Sequence, residues 1–174
     1  MSAAKRSEQE ADIREPGIPA SRRPTHQIAF NHVGQCVTDL AVAKRFYCEL
    51  LGFTLQREIN PPDDVSAKLL GLTAPLGMTA SYLVRDGLVL ELLHFSAAGQ
   101  TARYEPRAMN EPGLTHISLS VEDLEGALAK IDDYGGEVIA DSNIGSGVFV
   151  RDPDGQLVEL LPMEYRRRLD AGEL

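Results

Sequence analysis

The stretch His32-Val33-Gly34-Gln35-Cys36-Val37-Thr38-Asp39-Leu40 returns 84 positions later as His116-Ile117-Ser118-Leu119-Ser120-Val121-Glu122-Asp123-Leu124. The same offset carries Ala43 onto Ala127 and Gly52 onto Gly136. A constant spacing over so many features marks an internal duplication, and that sets the architecture before any single element is assigned. A second block also recurs. Val84-Arg85-Asp86 leads through Gly87 into Leu88-Val89-Leu90-Glu91-Leu92-Leu93, and Val150-Arg151-Asp152 leads through Pro153-Asp154-Gly155 into Gln156-Leu157-Val158-Glu159-Leu160-Leu161. Glu91 and Glu159 are 68 positions apart, so the first half is longer, and its surplus falls in Pro61–Leu76, which is rich in Pro, Gly and Asp.

Working outward, both halves read as strand, helix, then three strands. Ile28–Val37 and Leu114–Val121 alternate in polarity and are bounded by turn formers, as strands are. Thr38 or Asp39 suits the cap of a helix over Leu40–Leu51 that stops at Gly52, and Glu122 or Asp123 suits the cap of one over Leu124–Tyr134 that stops at Gly135-Gly136. Strand-like runs follow at Phe53–Glu58, Met78–Val84 and Leu88–Phe95, then at Glu137–Ala140, Gly147–Val150 and Leu157–Leu161. Asp86-Gly87 and Asp154-Gly155 are hairpin signals. The fold class is therefore α+β, with two paired βαβββ modules sharing a concave face. Residues 1–26 read as a flexible N-terminal arm, 27–95 as the first module, 96–113 as a connecting segment, 114–163 as the second module and 164–174 as a C-terminal tail.

Four side chains carry the chemistry. On a strand, alternate residues share a face, so His32 lies with Phe30, Gly34 and Cys36, and His116 with Ser118 and Ser120. Both imidazoles look away from the apolar faces that pack beneath the helices. Glu91 and Glu159 sit inside otherwise apolar strands, where an uncompensated carboxylate costs several kcal/mol, roughly. A divalent cation held by His32, Glu91, His116 and Glu159 would supply the compensation. That nitrogen and oxygen set suits zinc, nickel, cobalt, manganese or ferrous iron. His94, three residues beyond Glu91, falls on the opposite strand face, and His26 lies at the boundary of the arm.

Charge and composition exclude several classes. The chain has 17 Lys+Arg against 26 Asp+Glu, a net charge of −9, which repels phosphate backbones and argues against nucleic acid. The basic run Arg166-Arg167-Arg168 is offset by Glu164, Asp170 and Glu173 and reads as a solvated helix end. No apolar run approaches the ~18 residues of a membrane span, and the first 24 residues lack a signal-peptide core. These features lead us to expect a cytoplasmic protein with no membrane partner. Cys36 and Cys48 are read as reduced thiols, buried or half-buried.

The chain resembles the vicinal oxygen chelate superfamily, which includes glyoxalase I, methylmalonyl-CoA epimerase, extradiol dioxygenases, fosfomycin-resistance enzymes and bleomycin-binding proteins. The resemblance spans about residues 27–163. It rests on His32-Val33-Gly34, Asp39-Leu40, Phe46-Tyr47, Leu51-Gly52-Phe53, His116-Ile117, Asp152-Pro153-Asp154-Gly155 and the two glutamate-bearing strands. It implies an open, barrel-like sheet around a metal cavity, with His32, Glu91, His116 and Glu159 matching the four ligand places. A carboxylate at the place of Glu91 counts against a dioxygenase and leaves the glyoxalase I and epimerase branch, within which it leans towards the glyoxalase pattern, since epimerases generally carry Gln there. That branch moves a proton beside a carbonyl through a metal-stabilised enediolate, with Glu159 as ligand and base and Glu91 as second ligand or partner base. The alternative is an Fe(II)-dependent ring-cleaving dioxygenase, and a small-molecule binding or resistance protein stands third. The resemblance further implies a small-molecule substrate and a homodimer, with the four ligands drawn from one chain or two. Arg103, Tyr104 and Arg107, in the connecting segment, are candidates to hold an anionic group of the substrate.

Overall fold

The computed structural model describes residues 28–101 and 108–173. The N-terminal arm with His26, and Arg103, Tyr104 and Arg107, lie outside the described residues. The chain forms two units, Met1–Asn31 and His32–Leu174, and every element below belongs to the second.

The duplication is realised as two four-stranded sheets. In the first module β1 (Val33–Cys36), β2 (Thr54–Ile59), β3 (Met78–Arg85) and β4 (Leu88–Phe95) are ordered β1-β4-β3-β2. In the second, β5 (His116–Val121), β6 (Glu137–Val138), β7 (Val148–Arg151) and β8 (Leu157–Pro162) are ordered β5-β8-β7-β6. Within each sheet the first strand runs parallel to the last, and the remaining pairs are antiparallel. The sheets are not closed into a barrel.

β1 is shorter than the sequence predicts. Val33 pairs with Leu90 in parallel register, and β4 begins at Leu88, so residues ahead of His32 soon run out of partner. The strand expected from Leu114 likewise starts at His116. Asp39 caps helix α1 (Leu40–Lys44), its carboxylate accepting from the amides of Ala41 at 2.8 Å and Val42 at 3.0 Å. Beyond Lys44 the helix widens into π-turns over Arg45–Leu50, where a single α-helix was expected. The wider turn lets the consecutive rings of Phe46 and Tyr47 both bury completely. Gly52, at φ 71°, then reverses the chain in a conformation that L side chains rarely adopt.

In the second module Asp123 accepts from the Gly126 amide at 2.9 Å and caps α3 (Leu124–Leu128); a single 3-10 turn, Asp132–Tyr134, completes the expected helix. The surplus segment of the first module contains a helix that the sequence did not announce, α2 (Asp63–Leu70). It is pinned by Asp63, which accepts from the amides of Leu76 and Gly77, each at 3.1 Å. The tail carries α4 (Met163–Asp170).

One core serves both modules, and it lies on the helical side of the sheets. Phe46, Tyr47, Leu83, Leu90 and Leu92 bury against Ile131, Val148, Val150, Val158 and Leu160. The shared surface expected between the modules was the opposite, polar face, and the distinction decides how the site is built. On that face a smaller cluster forms as α2 packs Ala67 with Leu76, Met78, Ala80 and Phe95, roofing one end of the first sheet.

Candidate functional site

The polar faces carry the four predicted residues as two pairs. In the first module Nε2 of His32 lies 3.0 Å from Oε2 of Glu91. Gly34 stands across from Glu91 on β1, and a Cβ there would make ordinary van der Waals contact with the carboxylate, 3.7 Å from Oε2. In the second module Nε2 of His116 lies 3.7 Å from Oε2 of Glu159. Ser118, across from Glu159, donates its hydroxyl to Oε2 at 2.6 Å.

A ring flanks each histidine. Tyr82, opposite Glu91 on β3, meets His32 edge-on at 5.8 Å, and Phe149, opposite Glu159 on β7, meets His116 edge-on at 5.2 Å. The hydrogen bond between its phenol and the Glu91 carboxylate raises Tyr82 above the usual tyrosine range. At His116, Nδ1 is 2.9 Å from Oγ1 of Thr115, which orients the ring and leaves Nε2 toward the carboxylate.

Tyr82, Phe149 and Thr115 were not singled out from the sequence. The first two were within reach of it, because a hairpin fixes which residue stands across from each glutamate. Cys36 proves exposed and Cys48 half-buried, and both are free thiols, so the expectation of burial fails at Cys36. His94 stands across from Thr79, away from the Glu91 face, as strand parity requires.

The two pairs do not join within one chain. Among the described residues no group of three or more His, Cys, Asp or Glu side chains is placed to hold a metal ion. A cleft of about 800 Å³ opens between the edge strands β1 and β5 and exposes His116 and Ser118, while neither Glu91 nor Glu159 lines it.

The donor chemistry nevertheless fits a divalent cation. Glu91 is only 8 % exposed, and among the described residues its sole ion-pair partner is His32; that of Glu159 is His116. A buried carboxylate without lysine or arginine, facing an imidazole, is suited to a metal ion. Each pair supplies two of the four or more donors that such an ion takes.

Residues 29–160 match the model of the Glyoxalase/Bleomycin resistance protein/Dioxygenase superfamily, and the chain belongs to that superfamily. It is 30% identical over 137 residues to an uncharacterised Escherichia coli protein, YaeR, covering 75% of this chain and 92% of that one. It is also 30% identical over 162 residues to a lactoylglutathione lyase of Pseudomonas putida, covering 84% and 92% respectively. Among solved structures, a glyoxalase family protein from Bacillus cereus superposes with a TM-score of 0.65 at 19% identity, covering 79% of this chain and 95% of that one. That likeness is one of fold.

Proposed function

We propose that the protein is a metal-dependent enzyme that moves a proton at a carbon beside a carbonyl, as a glyoxalase I-like lyase or an epimerase-like isomerase. Its site is completed between two copies of the chain. The observation that carries this reading is the matched placement of two histidine–glutamate pairs, each lacking a basic partner, on the polar faces of duplicated sheets. The His32–Glu91 pair of one copy and the His116–Glu159 pair of the other together make a two-nitrogen, two-carboxylate set. Zinc, nickel, cobalt or manganese bound there supplies Lewis acidity to a carbonyl oxygen.

The chain's own groups do the rest. Glu159 takes the proton from the carbon and returns it to the same or the neighbouring one, while Ser118 holds its Oε2. Glu91, more deeply buried, serves as the second carboxylate and alternate base. Thr115 fixes the His116 ring. Tyr82 and Phe149 pack edge-on against the two histidines and restrain their rings.

Metal analysis of the purified protein tests the reading, combined with solvent-deuterium exchange into 2-oxoaldehyde thiol adducts and acyl thioesters. About one zinc, nickel, cobalt or manganese per chain with exchange beside the carbonyl supports it. Ferrous iron with oxygen consumption would replace it by ring cleavage, a chemistry against which the Glu91 carboxylate counts, since dioxygen and a catechol both need open coordination positions.

A further inference from the structure

Arg57 stands out among the arginines of the described residues. The other six arginines in the described residues each have a carboxylate within ion-pair distance: Arg45 with Glu49, Arg85 with Asp86, Arg151 with Glu137, Arg166 with Asp170, Arg167 with Glu122 and Arg168 with Glu173. Arg57 has none. In a chain with nine net negative charges, an arginine left without an acid is conspicuous.

Its placement is set by register. Gly34, Glu91, Tyr82 and Arg57 form one row across the sheet, pairing in turn from β1 to β2. The guanidinium lies over the Tyr82 ring, 4.3 Å from its centroid, on the face that bears His32 and Glu91. Stacking of this kind holds a guanidinium flat; Arg57 also interacts with the Tyr82 hydroxyl, and the rest of its five N–H donors can serve a planar oxyanion. The neighbouring acid cannot neutralise it. Glu58 points to the opposite face, where Lys44 at 2.5 Å and Ser81 at 2.6 Å take it up.

The duplicated half lacks the feature. Phe149 occupies the place of Tyr82, and Ile139, whose amide donates to the Phe149 carbonyl, continues the row where Arg57 would stand. The two halves are alike at the imidazoles and carboxylates and differ one and two strands away. That pattern suits a symmetric reacting centre with an asymmetric substrate.

We infer that Arg57, stacked on Tyr82, is a specificity-determining residue that binds an oxyanion group (carboxylate or phosphate) of the substrate. Strands are spaced about 4.8 Å apart, so Arg57 stands two spacings, roughly 10 Å, from Glu91, and its guanidinium leans back over the intervening strand. The fitting substrate is a small molecule whose anionic group lies about 5–10 Å from the carbon that loses its proton. The opposite end of such a molecule meets Phe149 and Ile139, and is apolar. This assignment deepens the proposed function and rests on it for the position of the reacting carbon, while the anion site itself stands without the metal.

The test uses the full-length, metal-free protein, titrated with inorganic phosphate and with glutarate. The NMR signals followed are the Arg57 Nε–Hε group and the Tyr82 ring. Saturable shifts confined to these two groups are expected. Arg57→Gln should weaken binding at least tenfold, and Arg57→Lys should keep part of it, with melting temperatures unchanged because the side chain is exposed. Equal binding by Arg57→Gln, or shifts scattered over the surface without saturation, overturns the assignment. Zinc titration of the same samples is read separately. Its failure overturns the metal reading, and leaves the anion result to stand or fall by its own signals.

Discussion

The Tyr47 hydroxyl, buried in the first module, lies 2.9 Å from the Asp152 carboxylate of the second. Gln35 on β1 donates to the same oxygen at 2.5 Å, and the amides of Asp154 and Gln156 donate to the other at 2.9 and 2.7 Å. Thr38, at the entry to α1, reaches across in the same way, its amide donating to Asp154 at 3.0 Å. A turn of one module is thus tied to the first strand and helix of the other. Tyr47→Phe leaves the buried carboxylate one donor short and should lower unfolding free energy by about 1–3 kcal/mol in urea titrations.

Asp152 also makes stability depend on pH. Burial pushes its carboxyl above the ordinary range, outweighing the donors from Gln156, Tyr47, Gln35 and Asp154 that pull it down. The folded state therefore holds this proton more tightly than the unfolded chain does. Its contribution is fully present below the ordinary carboxylate value and is lost as pH rises through the raised folded one. Asp152→Asn should flatten that decline when midpoints of urea unfolding are compared across the window.

The proposed site bridging two copies predicts complementation. His32→Ala and Glu159→Ala each damage every site of their own homodimer. In a mixed dimer, one site receives both altered halves and the other receives both intact halves. Co-refolding equal amounts should therefore restore about a quarter of wild-type activity, as random pairing of a symmetric dimer requires. No recovery on mixing, with mixed dimers confirmed by mass, would mean that the site lies within one chain.

How much of this was legible in the sequence follows from what fixes each element. The repeat exposed both modules, and strand parity aimed both histidines away from the helix-packed faces, because both are local, periodic properties. Tyr82 was readable in principle. It stands four residues before Asp86 as Glu91 stands four after Gly87, and a two-residue turn at φ 48° and 81° enforces that pairing. Which faces of the two sheets meet was not readable. Both faces of β4 are largely apolar, and the choice was made by Phe46 and Tyr47, which the π-turns swing together into one core. The same choice separates the two donor pairs. Helix α2 was hidden because it buries Ser66 and Ala67 while Val65 and Leu69 stay exposed, so no apolar stripe marks its buried face.

Gly136 lies where the Phe46 ring of the first module packs into the second. A Cβ there would lie 2.6 Å from the Arg151 carbonyl, 2.7 Å from the Phe46 ring and 2.9 Å from Ile131. Backbone and core ring can give way only together, so Gly136→Ala should cost about 1–3 kcal/mol by overpacking. Urea midpoints would register it. An unchanged midpoint would mean that the two modules can slide apart at this seam without penalty.

Ser118 offers a test of the second half-site that spares every proposed donor. Its hydroxyl holds Oε2 of Glu159 at 2.6 Å, so Ser118→Ala frees the carboxylate to rotate while keeping both His116 and Glu159. Groups that orient metal-bound carboxylates typically change affinity by about 10–100-fold when removed. Chelator competition should register a weakening of that order in zinc binding, with the melting temperature of the metal-free protein nearly unchanged. Threonine at the same place restores the hydroxyl and should recover the affinity, which a loss caused by packing alone would not do. If alanine and threonine bind zinc as the parent does, Glu159 is not held by this bond when a cation is present, and the second half-site is organised by the partner copy instead.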